Sequence, residues 1–186
     1  MNAGVLSDRE IAALCEGHRP MLFPFVGTQQ GRPSYGLGSF GYDLRLGTKI
    51  LVPLGGVNAV LDPVDFPDGH FREITAERLF ELSPHSQVLA ESVERFDIPD
   101  DVCGVCWGKS SYARCGLLVN VTPLEPGWRG VLTIELANVS PLPIRLHIGQ
   151  GIAQVVFFRG TRPSRTYGEK EAGGAYQDQQ GVTLPR

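Results

Sequence analysis

The sequence predicts a mainly β fold, a barrel or jelly roll with one short helix near the N-terminus. Three observations carry that expectation. The 186 residues include 23 glycines and 14 prolines, which cut the chain into short segments. Between residues 102 and 158, short apolar runs follow one another with turn residues between them. Only one stretch has the start and stop signals of a helix. At this length one domain, 1–186, is expected. Residues 159–186 read as its tail, because apolar periodicity vanishes from Arg159 onward. That tail is either disordered or folded over a ligand.

The elements follow in order. Ser7-Asp8-Arg9-Glu10 is a capping box, Ile11 to Leu14 continue the helix, and Gly17 closes it. Tyr42–Leu46 alternates as a strand, and Lys49–Pro53 reads as a second one. Residues 58–71 are rich in Pro, Asp and Gly and read as loop. Residues 75–82 fit either a helical turn or a strand. Residues 87–96 read as a strand and 98–101 as a turn. Strands are then expected at 102–107, 117–122, 131–139, 144–147 and 152–158. Turns are expected at 123–130 and 140–143. No internal repeat is present.

Composition excludes several classes. Lys plus Arg number 17 against 20 Asp plus Glu, a formal net charge of −3, so nucleic acid is not an expected partner. No apolar run is long enough to span a membrane. Residues 1–10 lack the charged-then-apolar layout of a signal peptide, so a cytoplasmic location is expected. The four cysteines read as reduced thiols. Cys103 and Cys106 have C-x-x-C spacing, but no second such pair accompanies them, and buried strand cysteines are expected. No His-x-Glu paired with Pro-Cys-x-x-Cys occurs, so zinc-dependent deaminase chemistry is not expected.

Two stretches carry candidate chemistry. Gly108-Lys-Ser-Ser-Tyr-Ala-Arg-Cys-Gly116 looks at first like a phosphate-binding P-loop. That motif needs a glycine where Cys103 stands, and Gly116 would end a helix early. Lys109, Arg114, Ser110 and Ser111 still suit a phosphate chain. They equally suit a polar turn with solvated charges. In the second stretch, Leu132, Ile134 and Leu136 share one strand face, with Val131, Thr133, Glu135 and Ala137 on the other. Glu135 is the lone charge from 131 to 137. If buried, its pKa rises and it becomes a usable general base; on an edge strand it would simply face water. Glu125 lies in the preceding turn, where a hairpin could bring it to the same site or leave it solvated. Trp128 offers a flat face for a sugar or base, or is an ordinary core residue.

Residues 108–128 and Leu132-Thr-Ile-Glu-Leu136 resemble the bacterial dCTP deaminases of the trimeric dUTPase superfamily. The likeness extends upstream to 34–45 and downstream to 151–158 and 176–181. It implies a distorted β-barrel of the dUTPase type, a homotrimer, and active sites between subunits. It implies zinc-free hydrolysis of dCTP to dUTP and ammonia, supplying dUTP for dUMP and dTTP synthesis. The catalytic glutamate matches Glu135, with Ser110 and Arg114 as its catalytic companions. Lys109, Ser110 and Ser111 would hold phosphate oxygens, and Tyr112 and Ala113 lie in the same nucleotide-binding stretch. Thr133 and Ile134 would offer backbone groups to the base. Gln154, Tyr167 and Gln179 match nucleotide contacts. Glu125 and Trp128 match an acid–aromatic hairpin that packs on deoxyribose. Magnesium would enter bound to the phosphates, with no dedicated protein ligands. The alternatives within the superfamily are a bifunctional deaminase and dUTPase, or a dUTPase. Four departures bear on triphosphate affinity and on the fate of dUTP. Lys109 stands for an arginine, Ala175 for a lysine and Glu125 for an aspartate, and the 121–125 loop is two residues shorter than the commonest form.

Overall fold

A computed structural model describes residues 3–55, 60–170 and 173–185. The chain runs β1 (Gly4–Val5), α1 (Asp8–Cys15), β2 (Leu22–Phe23), β3 (Gly36–Leu37), β4 (Tyr42–Pro53), β5 (Phe71–Thr75) and β6 (Leu79–Leu82). It continues with β7 (Gln87–Asp97), β8 (Val102–Gly108), α2 (Ser110–Ala113), β9 (Leu117–Asn120), β10 (Arg129–Asn138), β11 (Ile144–His147) and β12 (Gly151–Arg159). A 3-10 turn at Tyr167–Glu169 opens the tail.

The predicted capping box forms. The Glu10 carboxylate accepts from the Ser7 backbone N–H at 2.9 Å and from the Ser7 hydroxyl at 2.8 Å. Gly17 takes φ +93 just past the helix, as its stop signal requires. The two strands expected at 42–46 and 49–53 are one. β4 pairs with β12 and β3 through its first half and with β5 and β7 through its second. Its register shifts between Leu46 and Ile50, where Gly47 lets Glu91 of β7 approach; a Cβ there would lie 2.4 Å from the Glu91 side chain. The ambiguous stretch at 75–82 is strand on both sides of a short turn. The loop expected over 58–71 ends where β5 begins at Phe71, and its residues 58 and 59 lie outside the described residues.

One sheet curls into a half-barrel in the order β1-β12-β4-β7-β10-β9, with β8 on β12, and β6 and β11 form a separate pair. Alternate residues of β7 and β10 turn inward, among them Phe96, Ala90, Leu132, Ile134 and Leu136. Two inward polar residues on β7 have defined partners. Ser92 sits at a bulge in the β7–β10 ladder, accepts the orphaned Leu132 N–H at 3.0 Å, and donates to Glu94 O at 2.6 Å. Glu94 is fully buried and binds the Arg45 guanidinium at 2.7 Å and its backbone N–H at 2.9 Å.

β8 and β12 form an outward face of a different character. Val105 pairs with Val156, and Trp107, 51% exposed, pairs with Gln154. Cys103 pairs with Phe158 on the same face, and it and Cys106 are both half-buried rather than buried as expected. Burial pushes the Cys106 thiol up to about 12. All four cysteines are free. Among the described residues, no helix is long and apolar enough to cross a membrane.

Candidate active site

Glu135 sits at the middle of β10, which is an interior strand. β7 flanks it on one side, with Leu89 opposite Glu135, and β9 on the other, with Asn120 opposite. The edge-strand alternative therefore falls away. The side chain is half-buried and enters a cavity of ≈ 580 Å³ whose walls include Leu89, Val121, Leu124 and Leu132. Burial raises its pKa from the usual carboxylate range. A backbone hydrogen bond and the Asn120 amide, which donates at 3.0 Å, oppose that rise.

The cavity gathers six of the candidates: Glu125, Trp128, Thr133, Glu135, Tyr167 and Gln179. The hairpin before β10 thus brings both acids to one space. Trp128 is 6% exposed, tilts against Phe96 with ring centroids 6.3 Å apart, and donates from Nε1 to Tyr176 O at 3.0 Å. It is both a core residue and a cavity wall. Glu125 receives the Lys170 ammonium at 2.6 and 2.7 Å, and that ammonium also lies 4.7 Å from the Tyr167 ring centre.

β9 pairs with β10 only from Glu135 onward. Below that point the tail takes its place. Gln179 bridges to Gly130 in parallel, its O accepts from Val131 N–H at 3.0 Å, and its amide reaches Val131 O. Thr133 lies in the gap between the two. Its hydroxyl accepts from the Gln179 amide at 3.3 Å and from Thr183 N–H at 3.0 Å. Ile134 turns its side chain fully into the core, which leaves only its backbone for a ligand. The tail is anchored by Tyr167 N–H to Pro126 O at 2.8 Å and by Tyr176 N–H to the Tyr167 hydroxyl at 3.1 Å. Tyr167, Tyr176, Gln179, Thr183 and Pro185 of the tail line the cavity; residues 171, 172 and 186 lie outside the described residues.

The other candidates do not line this cavity. Lys109 is the N-cap of α2, a single helical turn with Arg114 as its C-cap, and Gly116 follows at φ +91. Ser110, Ser111, Ala113 and Arg114 are exposed there. Tyr112 points inward, and its hydroxyl accepts from His147 N–H at 3.0 Å. The Lys109 ammonium binds Asp43 at 2.6 Å, and Gln154 donates to the same carboxylate at 3.2 Å. Within one chain the candidates therefore fall into two separate groups, one around Glu135 and one around Lys109.

Sequence reasoning assigned no role to Asn120 or Asp43, although both lie in the stretches that carried the resemblance. It also missed Tyr176, Thr183 and Pro185, which line the cavity from the tail. No periodicity could have announced them. Among the described residues, no group of three or more His, Cys, Asp or Glu is arranged to hold a metal ion.

The curled β half-barrel is a fold of the dUTPase type, and it holds a half-buried carboxylate in an apolar-walled cavity apart from a cationic turn. The chain belongs to the dCTP deaminase-like family, whose model matches residues 5–160. It is 43% identical over 188 residues to a dCTP deaminase of Campylobacter curvus, covering 98% of each chain. It is 44% identical over 185 residues to one of Herpetosiphon aurantiacus, again covering 98% of each. The fold is similar to the crystal structure of 2'-deoxycytidine 5'-triphosphate deaminase from Agrobacterium tumefaciens. That match has a TM-score of 0.67 at 22% identity and covers 86% of this chain and 49% of that one.

Proposed function

We propose that this chain hydrolyses dCTP to dUTP and ammonia, with Glu135 as the proton carrier. The carrying observation is the half-buried carboxylate, raised by burial, in the cavity of a dCTP deaminase-like chain. A carboxylate shifted toward neutrality can both take and return a proton. Glu135 takes a proton from the water that attacks C4 of cytosine. It returns that proton to N3, and the amine leaves as ammonia after a second transfer through the same carboxylate. One water is consumed and one ammonia released. Thr133 and Ile134 supply backbone groups to the base. Glu125 and Trp128 form the deoxyribose wall, where a 2′-hydroxyl would be excluded. Tyr167 and Gln179 close the tail over the nucleotide.

Lys109, Ser110, Ser111, Arg114 and Gln154 form the phosphate half of the site, with Ser110 and Arg114 also ordering the water. They reach the nucleotide from a neighbouring subunit in a homotrimer. Two features support that arrangement. The two half-sites do not share the cavity within one chain, and the Val105, Trp107, Val156 and Phe158 face of β8 and β12 lies outward and apolar. Second copies of the chain are its natural cover. The donors present suit magnesium carried by the phosphates. Cations and hydroxyls line the phosphate half, while the Glu125 and Asp43 carboxylates are already engaged by lysines. Bound in that way, the ion neutralises phosphate charge. A cytoplasmic location belongs to the same reading, because deoxynucleoside triphosphates are kept there.

Glu125 bordering the same cavity as Glu135 keeps a second activity in view, onward cleavage of dUTP to dUMP and pyrophosphate. One experiment separates the two. The purified protein is incubated with magnesium and dCTP, dUTP or CTP, and ammonia, pyrophosphate and nucleotides are measured. Ammonia with accumulating dUTP is the expected result. Pyrophosphate and dUMP would establish the bifunctional form. No turnover of any sample would defeat the enzymatic reading.

A further inference from the structure

We propose that Asp43 is the positioning residue of the phosphate half-site, fixing Lys109 and Gln154 with its two carboxylate oxygens before any nucleotide arrives. The inference rests on the nucleotide reading above. Asp43 is 2% exposed, between Tyr42 and Leu44, which are both fully buried on β4. A carboxylate that dry needs opposite charge and a full set of donors. It has them. Oδ2 accepts from Lys109 Nζ at 2.6 Å, Gln29 Nε2 at 2.9 Å and Ser34 Oγ at 3.3 Å, and Oδ1 accepts from Gln154 Nε2 at 3.2 Å. Lys109 Nζ also reaches Ser34 Oγ at 3.2 Å, so two of its three N–H groups are engaged. One remains for a phosphate oxygen.

The donors come from separate parts of the chain: the loop before β3, the turn after β8, and β12. Backbone packing forces them together. Gly151, which opens β12 ahead of Gln154, lies against the Ser34 carbonyl and the Lys109 stem so closely that a Cβ would sit 1.8 Å from Ser34 O and 3.1 Å from Lys109 Cδ. A free lysine is a flexible point charge that loses rotamer freedom when it binds phosphate. Held by Asp43, Lys109 loses that freedom on folding instead, and binding proceeds to a preformed donor pair. The opposing effect is repulsion between Asp43 and the phosphates. Three donors on Oδ2, one of them the ammonium, shield that oxygen, so positioning is expected to win.

The test measures dCTP and dCMP binding by calorimetry in the Glu135→Gln background, where substrate is not consumed. The Asp43→Asn change should weaken dCTP binding by about tenfold or more, the scale of one hydrogen bond to a charged group. It should change dCMP binding, which lacks the terminal phosphoryl groups, far less. In a background already carrying Lys109→Ala and Gln154→Ala it should have no further effect on dCTP. Unchanged or tighter dCTP binding, equal losses for both nucleotides, or an additive loss would overturn the proposal. A protein that binds neither nucleotide even with Asp43 intact would overturn the functional reading together with it. Should Asp43→Asn fail to fold, the wild-type chain still provides a readout. The side-chain 15N resonance of Lys109, identified by its loss in Lys109→Ala, should be protected from exchange both free and with dCTP. Fast exchange in the free protein would mean that the ammonium is not held.

Discussion

In the proposed reaction, the chemistry turns on Glu135 and on Asn120, which donates to it. Burial raises the carboxyl, and the Asn120 amide partly lowers it again by donating to the ionised form. The base must be ionised to accept a proton from water, so kcat/KM should fall as pH drops through this raised pKa. Asn120→Leu removes a donor to the charged form and should move that acid limb to higher pH. An unmoved limb in the pH profile would mean that Glu135 is not the titrating base. Glu135→Gln should lower kcat by about 10²–10⁴, the usual worth of a general base, with the fold intact by circular dichroism. Sequence reading found Glu135 because it is the lone charge in an alternating strand. It could not find Asn120, whose relation to Glu135 depends on the β9–β10 register.

At the level of elements, β4 and β12 carry Asp43 and Gln154, of the cluster proposed to hold phosphate, and β10 carries Glu135, the proposed base. Gly151 is where β12 admits the turn bearing Ser34, and the obstacle to any side chain there is a backbone carbonyl. Gly151→Ala should cost about 1–3 kcal/mol as overpacking. The melting temperature should fall accordingly, by about 2–4 °C per kcal/mol for a chain of this size. Because the displaced turn also holds the Lys109 ammonium through Ser34 Oγ, KM for dCTP should rise more than kcat falls. A drop in kcat with KM unchanged would point to general destabilisation instead. Strand existence was legible from alternation for β7, β10, β11 and β12 to within a residue or two. The two-residue strands β1, β2 and β3 were not, since a pair of residues has no period to read.

For the whole molecule, the separation of the two candidate groups within one chain makes an oligomer part of the proposed chemistry. Light scattering should report three times the 20.2 kDa chain. Glu135→Gln and Arg114→Ala should each be inactive alone. Co-refolded together, they should recover activity at about a quarter of sites, as random mixing in a closed ring requires. Recovery arises because one chain supplies an intact Glu135 and its neighbour an intact Arg114. No recovery from well-mixed oligomers would place both halves of the site within a single chain.

The sequence alone determined the β class, the N-terminal helix, most strand positions, the lone acid of β10 and the family resemblance. All of these are read from local period, local capping chemistry or contiguous motifs. The tertiary structure decided what depends on distant residues meeting. It joined two expected strands into β4, since Gly47 lets one strand bend between two sets of partners. It laid the tail along the edge of β10 that β9 leaves open. It also drew Lys109 and Gln154, from separate stretches of chain, onto the buried Asp43 carboxylate. A dry charge must find its partners wherever the fold brings them, and no linear spacing records where that will be.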